Sequence, residues 1–259
     1  MTINRIATVN DYDVALATEY QDTITYQDLS VQTKTLMPES HQTDIIVSSA
    51  GDDVAVDNDE SRIYFGNLGF DSIEGFGGSD SISSSRDQDS VLGGDYDDFL
   101  FESFQNDTIL GGNGNDSIYG SQNDTILGGN GNDSIYGSQN EDILFDNSVN
   151  DTVYGDLGSD SIAGESSNNR LEGENGSNIL LGKQEHDFLS GGFPSDTLFC
   201  DDGSDYLEEN GGDCLVTNTD GNVGDTLIGG CGDGTLVGGN WTYEAHEVEK
   251  LTVSNEFMS

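Results

Sequence analysis

Aliphatic residues recur along this chain every nine positions. Ile73, Ile82, Val91, Leu100, Ile109 and Ile118 begin the series; Ile126, Ile135, Leu144, Val153, Ile162, Leu171, Leu180, Leu189, Leu198, Leu207 and Val216 continue it. One step, from Ile118 to Ile126, is eight. After Val216 a step of eleven leads to Leu227 and a step of nine to Leu236. A period of nine suits neither a helix face nor an ordinary meander. It predicts a solenoid in which a strand of about three residues alternates with a turn of about six. The central aliphatic of each strand points inward and its two neighbours outward. One aliphatic per nonapeptide cannot form a core alone, but stacked rungs align them into continuous ladders. The expected architecture is all-β, a parallel β-roll or β-solenoid with two nonapeptides per rung. The period spans 44–239, and the segments 1–43 and 240–259 lack it and are expected to cap the two ends.

The stretch NDTILGGNGNDSIYGSQ at 106–122 is repeated without change at 123–139. In a stacked coil such a duplication adds one rung and leaves its neighbours as they were.

Composition sharpens this picture. There are 50 acidic residues against 7 basic ones, a formal charge of −43, with 35 Gly, 2 Pro and 33% hydrophobic residues. Low hydrophobicity with high net charge disfavours compaction unless something neutralises the charge. Nucleic acid would be repelled. Hard divalent cations are the natural counterpart of carboxylates and carbonyls. No apolar run is long enough for a membrane-spanning helix, and the first twenty residues lack the apolar core of an ordinary secretory signal.

The turn Gly111-Gly112-Asn113-Gly114-Asn115-Asp116 recurs as Gly128-Gly129-Asn130-Gly131-Asn132-Asp133, each followed by Ser-Ile-Tyr. Both fit G-G-x-G-x-D-x-U-x at every position. The chain thus resembles the RTX, or haemolysin-type, calcium-binding repeat family, whose members form parallel β-rolls. That resemblance implies several Ca²⁺ ions, each between turns of neighbouring rungs on one edge. Residue chemistry agrees: glycine permits positive φ and bares carbonyls, and Asp supplies charged oxygen. The alternative is that Gly, Asn and Asp merely build tight turns.

Alternate turns fall on opposite edges. The first edge carries the turn Gly75-Phe76-Gly77-Gly78-Ser79-Asp80, with Gly77, Gly78 and Asp80 as candidate ligands, then Gly93, Gly94 and Asp98. It continues with Gly111, Gly112, Gly114 and Asp116, then Gly128, Gly129, Gly131 and Asp133, and a turn ending at Asp151. The second edge ends its turns at Asp89, Asp107, Asp124 and Asp142 and has lost most glycines; its shortened turn, GSQND, closes at Asp124. Calcium is therefore expected mainly on the first edge across 75–133. Gly155, Gly158 and Asp160 still form a candidate site on the second edge. Asn169 and Asn178 replace Asp and predict weak or absent calcium over about 164–181.

Residues following the aliphatic form two outward rows. One is Phe101, Tyr119, Tyr136 and Tyr154; the other contains Leu92, Leu110, Leu127, Phe145, Ala163, Leu181 and Phe199. Such apolar stripes mark an interface, for a second copy or a cell surface, or are covered by the N-terminal segment, or stack carbohydrate. Cys214 and Cys231 fall on the same edge in successive rungs, which leaves open a disulfide or buried thiols; Cys200 lies on the other edge.

No enzyme is expected. His41, His186 and His246 form no H-E-x-x-H, no G-x-S-x-G occurs, and 1–43 is too short for a catalytic domain. The sequence reading is a secreted, calcium-dependent structural or adhesive protein of the cell surface or matrix, exported by a type I route as the family resemblance implies. The alternatives are a stand-alone secretion module or a fragment of a larger secreted toxin or enzyme, and an ice-binding roll. The last lacks the regular outward Thr row it would need.

Overall fold

The computed structural model describes residues 61–208 without a break. Outside that span it describes 5–9, 22–26, 32–35, 44–47, 52–56, 59, 210–212, 214–217, 223–229, 235–237, 240–245 and 252–254. Among the described residues the regular elements are all strands. The chain divides into two compact units, 1–129 and 130–259, and each is a parallel β-solenoid built from two sheets.

In the first unit, one sheet stacks strands Arg62–Leu68, Ser81–Arg86, Phe99–Phe101 and Ser117–Tyr119. The other stacks Asp53–Val56, Ser72–Glu74, Ser90–Asp95 and Thr108–Asn113. All pairings between these are parallel and in register with the nine-residue period. Tyr64 lies opposite Ile82, Ile82 opposite Leu100, and Leu100 opposite Ile118. On the facing sheet Ile73 lies opposite Val91 and Val91 opposite Ile109.

The second unit repeats the plan. Ile135, Val153, Leu171, Leu189 and Leu207 form one ladder. Leu144, Ile162, Leu180, Leu198 and Val216 form the other. Every aliphatic of the period from Ile73 to Leu227 is at most 4% exposed. Each such side chain therefore contributes nearly its full transfer free energy, about 1.5–3 kcal/mol. Tyr64, 1% exposed, extends its ladder one rung before Ile82.

Two features go beyond the sequence reading. Several strands have six residues rather than three, among them Ser90–Asp95, Thr108–Asn113 and Thr152–Leu157. The reason is that neighbouring turns stay paired after the aliphatic: Gly112 lies opposite Gly94 and Asn113 opposite Asp95. The end segments also carry strands that extend these sheets in parallel. Arg5–Val9 pairs with Asp22–Tyr26, and Thr252–Ser254 pairs with Thr235–Val237.

Within each unit the residues that follow the aliphatics lie in rows. Leu110 lies opposite Leu92, and Phe101 opposite Tyr119. Tyr136 stacks on Tyr154 with ring centroids 5.0 Å apart. Phe101 is 43% exposed and Leu110 36%. Ala163, between Phe145 and Leu181 in the row, is buried. Cys200 and Cys214 are buried; Cys231, His41 and His246 lie outside the described residues. No helix among the described residues is long and apolar enough to cross a membrane.

Candidate metal centre

Each turn brings two interior positions together. The residue two after the aliphatic faces inward, as alternation along a strand demands. The Asp that closes the turn, five residues later, turns its carboxyl back toward it. Asp71, Asp80, Asp98, Asp107, Asp116, Asp133, Asp151 and Asp160 are each 1–3% exposed.

One oxygen of each carboxyl builds a ladder. The Asp80 N–H donates to Asp98 Oδ1 at 2.8 Å, and the Asp98 N–H to Asp116 Oδ1 at 2.8 Å. On the second edge the Asp71 N–H donates to Asp89 Oδ1, and the Asp89 N–H to Asp107 Oδ1. In the second unit the Asp133 N–H donates to Asp151 Oδ1 at 2.6 Å. The other oxygen is orphaned. Oδ2 of Asp71, Asp80, Asp98, Asp107, Asp151, Asp160 and Asp187 is buried without a hydrogen-bond partner, an arrangement that is costly for a charged group.

The orphaned oxygen faces a space that only glycine leaves. A Cβ on Gly75 would lie 2.5 Å from Asp80 Oδ2 and 2.4 Å from the Gly93 carbonyl. On Gly93 it would lie 2.3 Å from Asp98 Oδ2 and 2.7 Å from the Gly111 carbonyl. On Gly111 it would lie 2.4 Å from Asp116 Oδ2 and 2.5 Å from the Gly128 carbonyl. Each space is thus flanked by a carboxylate oxygen of its own turn and a carbonyl of the next rung, and at Asp80 and Asp98 that carboxylate oxygen has no hydrogen-bond partner. Burial raises these acids: Asp80 to about 8, Asp98 to about 7 and Asp160 to about 6.

Two kinds of turn show what satisfies the space. Where Asn replaces Asp, the amide nitrogen takes the place of the orphaned oxygen. Asn169 Nδ2 donates to the Gly164 carbonyl at 2.6 Å, and Asn178 Nδ2 makes long contacts to the Gly176 and Gly191 carbonyls. In the shortened turn the backbone supplies the donor: the Ser121 N–H reaches Asp124 Oδ2 at 2.5 Å. Within 75–133 the glycine-lined space therefore recurs on the first edge, at Gly75, Gly93 and Gly111. The second edge holds Ser84, Glu102 and the shortened turn there. Outside that range the second edge has the space too, at Gly66 with Asp71, Gly137 with Asp142, and Gly155 with Asp160.

The remaining motif glycines shape the backbone. Gly94 and Gly112 have φ of +121° and +120°, and a Cβ on either would lie 2.1 Å from a carbonyl of the preceding rung. Gly129, Gly114 and Gly131 are also left-handed, and Gly158 sits against the Asn140 carbonyl. Gly77 and Gly78 lie elsewhere in their turn: the missing Cβ of Gly77 faces Asp59 at 3.3 Å, and Gly78 has φ of +96°. Gly75 is the glycine that faces Asp80. Counting two residues on from Ile73 identifies it, whereas the Gly-Gly pair draws attention to 77–78. The same count identifies Glu102 and Asp146 as interior acids.

The residues fit a calcium ion. Calcium takes about six to eight hard oxygens, and the glycine space is bordered by a carboxylate oxygen and a backbone carbonyl oxygen. Among the described residues no three Asp, Glu, His or Cys side chains converge on one point. A shell built here would therefore draw on carbonyls as well as Asp, a hard-oxygen set suited to calcium rather than to softer metals.

No curated protein and no solved structure matches the chain. The family model for the RTX calcium-binding nonapeptide repeat matches residues 63–91, 92–122, 120–153, 145–180 and 172–207, more than half of the chain. With its calcium-binding repeats stacked as parallel β-solenoids, the chain belongs to the RTX calcium-binding nonapeptide repeat family.

Proposed function

We propose that this protein is a secreted β-roll with a structural or adhesive role at a cell surface or in the extracellular matrix, folded by calcium outside the cell. The observation that carries the reading is the row of buried Asp carboxyls along the turns, several of which, as at Asp80, Asp98 and Asp160, present an unpartnered Oδ2 to a glycine space. Without a cation, folding buries these carboxyls uncompensated and brings a chain of formal charge −43 close to itself. A ligand that binds only the folded form shifts the equilibrium by mass action. Low calcium inside the producing cell keeps the chain extended for export, by a type I route, and higher calcium outside makes it rigid.

The role is architectural rather than catalytic. The half-exposed Phe101, Tyr119, Tyr136 and Tyr154 row and the Leu92, Leu110, Leu127 and Phe145 row supply the contact surfaces, to further copies or to the cell surface. Circular dichroism during a calcium titration tests the folding step. The β-signal rises with calcium and falls with chelator; equal β-content in both sinks the reading. Electron microscopy of the loaded protein then separates a filament or sheet former from a monomeric adhesin.

A further inference from the structure

Among the described residues, two turns place a second acid where most others have glycine. The residue two after the aliphatic is Gly at 75, 93, 111 and 155, but Glu102 follows Leu100 and Asp146 follows Leu144. Both are interior, with 1% and 0% of the residue exposed. Glu102 Oε2 accepts a hydrogen bond from the Ser84 N–H at 3.2 Å, and Oε1 has no partner. Neither carboxyl oxygen of Asp146 has one. The Asp that closes each of these turns, Asp107 or Asp151, also keeps its Oδ2 without a partner.

Each turn therefore buries two carboxyl groups together. Burial, and after it the neighbouring charge of Asp107, holds Glu102 well above the usual carboxylate range. Burial, and after it Asp151, pushes Asp146 up to about 9. Removing the second acid costs nothing in backbone geometry, because glycine fills the same position elsewhere. Buried like charges with no donor are among the most costly arrangements a fold can hold. They demand a positive partner more strongly than the glycine turns do.

We propose that the Glu102–Asp107 turn and the Asp146–Asp151 turn are two-carboxylate divalent-cation sites and the tightest cation sites of the chain. This rests on the reading of the protein as a calcium-binding roll. It differs from the repeat pattern, in which the position of Glu102 and Asp146 is glycine and supplies no side-chain ligand. Two carboxylates neutralise a divalent ion in full, whereas one leaves it half compensated, and carboxylate count raises affinity for hard cations. Glu102 lies in the first unit and Asp146 in the second, so each unit holds one site that fills before the glycine turns.

Isothermal titration calorimetry on the full chain, with bound metal counted after equilibrium dialysis, tests this. The variants are Glu102→Gln and Asp146→Asn, which keep shape, and Glu102→Gly and Asp146→Gly, which restore the repeat residue and keep the fold. In the wild type the first two calcium ions bind in a tighter phase. Each single variant removes one ion from that phase or weakens it at least about tenfold, and leaves the weaker ions in place. Unchanged count and affinity in all four variants overturn the proposal. So does a result in which Asp146→Asn only raises the melting temperature in chelator, since the pair would then be served by a shared proton. A wild type that binds no calcium overturns the calcium-roll reading itself, so the two failures are separable.

Discussion

Asn169 Nδ2 donates to the Gly164 carbonyl at 2.6 Å, in the position where Asp80 and Asp98 hold an orphaned Oδ2. An amide donor thus closes the space that an acid leaves for a cation. Exchanging the two groups should exchange the behaviours. Asp98→Asn should raise the melting temperature in chelator and remove one calcium from the count. Asn169→Asp should do the opposite. Differential scanning calorimetry and metal counting read both, and equal calcium counts in the two variants would contradict the exchange.

The glycines that face the carboxyls are steric requirements. A Cβ on Gly93 would stand 2.3 Å from Asp98 Oδ2 and 2.7 Å from the Gly111 carbonyl. Gly93→Ala should therefore destabilise the calcium-loaded protein by about 2–3 kcal/mol and lower its calcium affinity. Thermal unfolding at saturating calcium measures the first effect and calorimetric titration the second.

The pH dependence has a definite sign. The folded values of Asp71, Asp80 and Asp107 are raised by burial to about 8, from an ordinary value of 3.8. The metal-free fold then binds more protons than the unfolded chain. Its stability is fully present below the unfolded value of 3.8 and is lost progressively as pH rises from there to about 8. In chelator, the β-signal should be strong near pH 5 and decline toward pH 8. Saturating calcium should flatten that dependence, because the ion replaces the proton. Circular dichroism against pH, with and without calcium, checks it.

The core ladder predicts a cost set by a single side chain per rung. Ile109 is fully buried, in register with Val91 on the rung before it. Ile109→Ala should cost about 2–5 kcal/mol. On the outer face, Tyr136→Ala removes a ring stacked 5.0 Å from Tyr154 and should cost about 0.5–1.5 kcal/mol beyond the lost area. Chemical denaturation at fixed calcium distinguishes the two sizes of effect. Sedimentation of the Tyr136→Ala variant tests whether the stripe holds copies together.

Most of the fold was legible because its core uses one residue in nine. Ile73 to Leu227 sit where the period places them, and alternation about each fixes which neighbours face outward. The turn interiors were less legible. Glu102 and Asp146 look like solvated acids in a chain with 50 acidic residues, and only their offset from Leu100 and Leu144 turns them inward. Gly75 was overshadowed by the adjacent pair Gly77-Gly78. The six-residue strands were hidden because pairing through Gly94 and Gly112 is a property of stacked backbones, not of side-chain pattern. The strands at 5–9 and 252–254 share the sheets without sharing the nine-residue signature.

The most direct measurement is the position of calcium ions in a crystal of the loaded protein, located by anomalous scattering. The account predicts ions at the turns closed by Asp80, Asp98 and Asp116, and none at the turns closed by Asn169 and Asn178. Empty glycine–aspartate turns, or ions equally present at the asparagine turns, would contradict it.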